Sequence, residues 1–206
     1  IYKMELCDNT STASACNNPV TVFDGNSGTI DIANTTAGSA AASLGNVGLA
    51  KFGKSYSYLQ ITMSRAYTVS GSAADSAGNT CYTIASQTGA ADSNSKGTAT
   101  AGSVASTTLY AAMVGTDVGD NLTGLSSLTD TSGVASTIAS NDEYFQYRQA
   151  LASTFTMEPG NIPSVEVAFG TSNAVGAIGN MTSNCNQSGA AKGLYAAEPD
   201  VTVTIK

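Results

Sequence analysis

Histidine and tryptophan are both absent from the 206 residues of this chain. The absence of histidine excludes Ser-His and Cys-His nucleophilic mechanisms and His-ligated metal sites, and it removes the commonest general base. Carboxylates could still do acid–base work as a pair. We expect a protein that is not an enzyme and has no cofactor and no metal.

Positive charge is scarce. Eight Lys and Arg stand against 15 Asp and Glu, which gives a net charge of −7, and only 11% of the residues are charged. Nucleic-acid binding needs patches of Lys and Arg, and none is present. We expect no nucleic-acid partner, and the same charge disfavours an anionic membrane surface.

No apolar run approaches the 18 residues that a membrane-spanning helix needs, so we expect no membrane insertion. Ser, Thr, Ala, Gly and Asn dominate, with spaced β-branched and aromatic residues between them. This mixture is typical of many short strands joined by tight turns.

The strongest strand pattern is YLQITMSRAYTV at 58–69, where Leu59, Ile61 and Met63 alternate with polar residues and Arg65 interrupts the apolar face. Further strands are predicted at 81–86, 107–114, 164–169 and the C-terminal VTVTI. No alternation of strands with helices appears. We predict one domain over 1–206, an all-β antiparallel β-sandwich of jelly-roll or Ig-like type with a few short helices.

Four other segments carry weaker patterns. Residues 20–33 predict a hairpin around DGNSG, and 35–49 a short helix with Thr36 as N-cap. Leucines spaced by three indicate helical turns within 117–140. The segment 143–157 is ambiguous between helix and strand.

Four cysteines allow three pairings. We favour Cys7–Cys16, which would close a short polar loop, and Cys81–Cys185, which would tie distant segments. The even number of cysteines, with no C-x-x-C, favours disulfides over free thiols or zinc ligands. With the missing initiator Met, it predicts a secreted or cell-surface protein whose signal peptide was removed.

Candidates for chemistry are few. Ser93–Lys96 matches S-x-x-K, but it lies in a Ser-rich segment where chance accounts for it. Asp117 and Asp120 could ligate calcium, although a solvated loop explains them better. Asp142 and Glu143 are adjacent carboxylates that a strand would turn to opposite faces.

The opening YKMELC, the short Cys loop and YLQITMSRAYTVSG resemble secreted bacterial β-proteins of surface or filament type, and among these pilus-like subunits that polymerise by donating a terminal strand. The chain does not resemble type IV pilins, which carry a long apolar N-terminal helix. The resemblance implies a homopolymer of this chain, built by β-strand complementation.

The opening residues alternate as a strand does, and they place Tyr2, Met4 and Leu6 on one apolar face. We predict that Ile1 and this face form a subunit interface, with residues 1–7 as a donor arm. The alternative is an edge strand of its own domain, beside the C-terminal strand. That strand is also the rival donor, through Val201, Val203 and Ile205.

Three functions remain open from sequence. The first is a structural subunit of an extracellular filament or surface layer that assembles head to tail. The second is a secreted adhesin or a module that binds carbohydrate or protein without catalysis. The third, a secreted hydrolase using carboxylates, is disfavoured because no strong motif accompanies the missing histidine.

Overall fold

A computed structural model describes residues 1–13, 15–36, 39–85, 94–110, 125–129, 135–136, 144–160, 163–189, 191–197 and 200–205. These residues form an almost entirely β structure, so the all-β prediction is confirmed. The strands are β1 Lys3–Asp8, β2 Val20–Asp24, β3 Ser55–Ser64, β4 Ala66–Val69, β5 Ser72–Ala74, β6 Thr80–Tyr82, β7 Thr107–Tyr110, β8 Leu125–Thr129, β9 Ala135–Ser136, β10 Tyr144–Thr156, β11 Val165–Gly170, β12 Val175–Ile178, β13 Gly193–Ala196 and β14 Asp200–Ile205. Two single 3-10 turns accompany them, at Val47–Leu49 and Ala101–Ser103.

One eight-stranded sheet dominates. Its main path runs β11-β14-β10-β3-β1-β2, and β8 joins β10 and carries β9. Its pairings are antiparallel except the contact of β10 with β14, which is parallel at Leu151 and Val203. Three two-stranded sheets pair β12 with β13, β4 with β7 and β5 with β6. A jelly-roll or Ig-like sandwich stays a prediction.

The large sheet buries one apolar core against the loop after β2. Leu6, Leu59 and Ile61 are at most 1% exposed, because the alternation of β1 and β3 directs them to the same face. The core residues are Met4, Leu6, Val22, Ala50, Tyr56, Leu59, Ile61, Leu151, Met157 and Val203.

A second core lies among the small sheets, built on Leu109, Met181 and Leu194 together with Cys81 and Cys185. The Cys81–Cys185 disulfide closes a separation of 104 residues, and Cys7–Cys16 closes one of 9. In the loop-entropy account, the longer closure destabilises the unfolded chain by about 4.7 kcal/mol and the shorter by about 2.6 kcal/mol. Both pairings are the ones that the sequence favours.

Several local predictions are wrong. Residues 25–33 are not a strand, so the hairpin over 20–33 does not form, and within 35–49 the described residues hold a single 3-10 turn capped by Asn46 rather than Thr36. Within 117–140, the described residues 125–129 and 135–136 are strands rather than helical turns. The pattern over 58–69 divides at the buried Arg65 into β3 and β4.

The alternative placement of the opening strand is also wrong. β1 is not an edge strand and does not lie beside the C-terminal strand. It lies between β2 and β3, and it pairs antiparallel with both. The C-terminal strand β14 lies between β11 and β10.

Candidate functional site

The predicted interface residues of β1 lie inside the sheet of their own chain. The Tyr2 N–H donates to the Thr62 carbonyl at 2.8 Å, and the Gly25 N–H donates to the Tyr2 carbonyl at 2.9 Å. Met4 and Leu6 are buried opposite Ile61 and Leu59. The Tyr2 ring meets the Tyr144 ring edge-on, with centroids 4.4 Å apart. Both edges of β1 are therefore occupied within the chain, and exchange of this strand between copies stays a prediction.

The opposite face of β1 carries a polar ladder formed by Lys3, Glu5, Gln60 and Arg148, of which the last three are buried. Glu5 and Gln60 are paired in register, and Gln60 is paired with Arg148 on the next strand. The Gln60 amide nitrogen donates to the Glu5 carboxylate at 2.7 Å, and the Arg148 Nε donates to the Gln60 carbonyl oxygen. Lys3 Nζ lies 2.6 Å from the other Glu5 oxygen.

Glu5 is the one negative charge of the ladder, between Lys3 and Arg148. Burial lowers the pKa of the Arg148 guanidinium, and the negative charge of Glu5 opposes that shift. Glu5, Gln60 and Arg148 are each at most 7% exposed, so each needs its partners. The ladder locks β1, β3 and β10 in one register. Sequence analysis missed it, since the pattern of β1 and β3 alone does not reveal which polar residues face each other.

The Cys7–Cys16 loop covers one end of this ladder. Arg148 Nη1 donates to the Ala13 carbonyl at 3.3 Å. The Asp8 carboxylate accepts hydrogen bonds from the Thr10 hydroxyl inside the loop at 2.6 Å and from the Asn18 amide just after the loop at 2.6 Å. The hydrogen bond from the Thr10 side chain, followed by that from Asn18, lowers the pKa of Asp8. The loop is thus a folded part of the sheet end.

The C-terminal residues predicted as an interface also belong to the sheet. Val203 is 1% exposed and packs in the first core, and Ile205 is half-buried against it. Val201 lies on β14 opposite Phe169, and its side chain is outside the described part. The structure therefore brings the β1 residues and Val203 to one core but not to a shared surface.

The two ends of the main sheet path differ. The outer side of β2 is partly covered, because the Asn46 N–H donates to the Val22 carbonyl at 2.7 Å. β11 keeps an unbroken six-residue register with β14, and within the described residues β14 is its only strand partner. Among the described strands, β11 therefore ends the main path with a partner on one side.

An exposed apolar and basic turn precedes β3. We call residues 49–54, LAKFGK, the 49–54 tip. Leu49 is 57% exposed and Phe52 is 61% exposed, and Lys51 and Lys54 are both exposed. Sequence analysis did not single out this turn, although an aromatic residue between two lysines in a chain with few basic residues was a usable signal.

The carboxylate candidates for chemistry fall outside the described residues. This holds for Asp117, Asp120, Asp142 and Glu143, and also for Ser93 of the S-x-x-K match. In the described ranges, no three His, Cys, Asp or Glu side chains cluster as metal ligands would. No helix there has the length and apolar character for crossing a membrane.

Comparison with known proteins gives no relative: no family model, no curated protein and no solved structure matches this chain.

Proposed function

We propose that this chain is a structural subunit of an extracellular filament or surface layer, in which copies join by β-strand complementation. The observation that carries the proposal is the β11 edge, Val165–Gly170, at the end of the main sheet. The side of β11 away from β14, which has no strand partner among the described residues, would accept an extended strand of a second copy through main-chain hydrogen bonds.

The β11 edge has few of the features that block such pairing. Natural edges are protected by lysines, prolines, bulges or covering loops. The six residues of β11 contain neither lysine nor proline, and their register with β14 has no bulge. Val165 and Val167 anchor the strand in the first core, while Glu166 and Ala168 face outward. The strand is thus anchored to the core along one face.

The two disulfides and the low charge agree with an extracellular location. Disulfides persist in oxidising compartments and are rare in the cytosol. The missing histidine removes the commonest general base, which favours a structural role over a catalytic one.

The test places a lysine on the edge. Ala168→Lys adds a charge to an exposed position of β11, and Ala152→Lys adds the same charge to an exposed position of the internal strand β10. Electron microscopy and sedimentation should show that wild type and Ala152→Lys assemble, while Ala168→Lys does not. If the wild type stays monomeric at high concentration, the proposed function is wrong. If both variants assemble equally, the β11 edge is not the joint.

A further inference from the structure

The 49–54 tip presents apolar side chains to solvent from a fixed backbone. The Lys51 N–H donates to the Tyr56 hydroxyl at 2.9 Å, and Tyr56 is 1% exposed. The Gly53 N–H donates to the Met157 carbonyl at 2.8 Å, and the Met157 N–H donates to the Lys54 carbonyl at 3.1 Å. These bonds hold the turn in place, so Phe52 is exposed without local disorder to explain it.

The tip is positively charged, whereas the rest of the chain is negatively charged. It contains two of the eight basic residues, which leaves six to face the fifteen acidic ones. In the described part, the ion pair is Lys3 with Glu5, so neither tip lysine is paired there, although the exposed Glu158 follows Met157. An apolar side chain between two lysines fits an acidic surface that is also apolar.

The far end of the sheet carries the exposed carboxylate of Asp24, beside Lys3 and close to the Ile1 ammonium, which donates to the Ser27 hydroxyl at 3.0 Å. Asp24 on β2 is the Cα partner of Lys3 on β1, and Lys3 is also the partner of Thr62 on β3. Asp24 therefore lies near the end of β3. The 49–54 tip instead leads into the beginning of β3, at Ser55. Seven residue steps of β3, from Ser55 to Thr62, separate the two places by about 23 Å. Asp24 is exposed, and the loop that follows it carries the exposed Asp31.

That acidic loop has its own apolar residues. Ile30 and Ile32 flank Asp31 and are half-buried. The Asn34 side chain donates to the Asp31 carboxylate at 2.6 Å and lowers its pKa, which keeps Asp31 ionised.

We infer that the 49–54 tip of one copy docks on the Asp24–Asp31 surface of a second copy. The contact joins different surfaces at opposite ends of the sheet, so it repeats head to tail and does not close on itself by two-fold symmetry. The inference rests on the proposed self-association, but it uses a surface separate from β11.

The experiment measures self-association by sedimentation equilibrium at low salt. Lys51→Glu with Lys54→Glu should raise the dissociation constant about tenfold, because two attractions become repulsions. Lys96→Glu with Lys192→Glu changes the net charge equally at exposed positions elsewhere and should have little effect. Mixing the tip variant with Asp24→Lys should recover part of the lost affinity. Circular dichroism checks that each variant is folded.

Three results would overturn the inference. The first is an equal rise in the dissociation constant for the tip variant and the control variant. The second is no rise for the tip variant. The third is no recovery of affinity when the tip variant is mixed with Asp24→Lys. If Ala168→Lys abolishes assembly while the tip variants do not, the proposed function stands and the tip contact is wrong. If wild type does not associate, both are wrong.

Discussion

At the residue scale, Asp75 is the most constrained carboxylate among the described residues. It is 6% exposed, and it accepts hydrogen bonds from the Asn79 side chain at 3.0 Å, from the Ala77 and Asn79 backbone N–H groups, and from the Met181 N–H at 2.8 Å. These donors, the Asn79 side chain first, lower the pKa of Asp75 to about 2. The carboxylate thereby ties the 75–79 turn to the segment that contains Cys185.

The lowered pKa sets a pH dependence for Asp75. A carboxyl group with a lowered folded pKa contributes stability that is complete above its unfolded value of 3.8 and is lost as pH falls toward 2. Asp75→Asn should therefore lower Tm at pH 7, and the difference from wild type should shrink between pH 4 and about 2. Thermal unfolding followed by circular dichroism measures this. A difference that stays constant down to pH 2 would contradict it.

Individual residues were predictable where chemistry restricts their partners. Cysteine pairing could be argued from four positions and their neighbours. Asp75 could not, because its hydrogen bond to Met181 joins residues 106 positions apart. The same applies to Gln60 and Arg148, which are 88 positions apart. Their roles depend on strand pairing that local sequence does not encode.

At the scale of elements, the polar ladder fixes the register of β1, β3 and β10. Gln60→Ala removes both hydrogen bonds of the central residue and leaves Glu5 and Arg148 buried with fewer partners. We expect a loss of about 2–4 kcal/mol in the free energy of unfolding. Thr62→Ala, at the next position on the same face of β3, is the control and should cost much less. Urea denaturation measures both, and equal losses would contradict a special role for the ladder.

Alternation located strands that have one apolar face, among them β1, β3, β11 and β14. It failed for β10, whose 13 residues gain their strand form from pairing with β3. It missed β12 because VGAI carries no alternation of apolar and polar residues. Gly176 is required there, since a Cβ would lie 2.3 Å from the Tyr195 ring on β13. The long-range pairing explains why the sheet order was not predictable.

At the scale of the whole molecule, the connection between β1 and β2 determines whether exchange of β1 between copies would give a closed dimer or a polymer. β1 ends at Asp8 and β2 begins at Val20, and the two strands form an antiparallel pair beside each other. A copy that donates β1 would stay joined to it through residues 9–19, which include the disulfide loop. Exchange would therefore bring the same end of both copies together. That geometry favours a closed reciprocal dimer over a head-to-tail polymer.

A cross-link can show whether β1 pairs with β3 of its own chain or with β3 of another copy. Lys3 and Thr62 are Cα partners on β1 and β3, so Lys3→Cys with Thr62→Cys should form a disulfide across this pair. Since β1 is an internal strand of its own chain, we expect a monomer band on non-reducing gels even when the cross-link forms in assembled material. Thr68→Cys with Thr108→Cys, a pair on β4 and β7, is the control for an in-chain link. A dimer band for the first pair alone would show reciprocal exchange of β1. A ladder of bands would show head-to-tail exchange. Either pattern would contradict the placement of β1 in the sheet of its own chain.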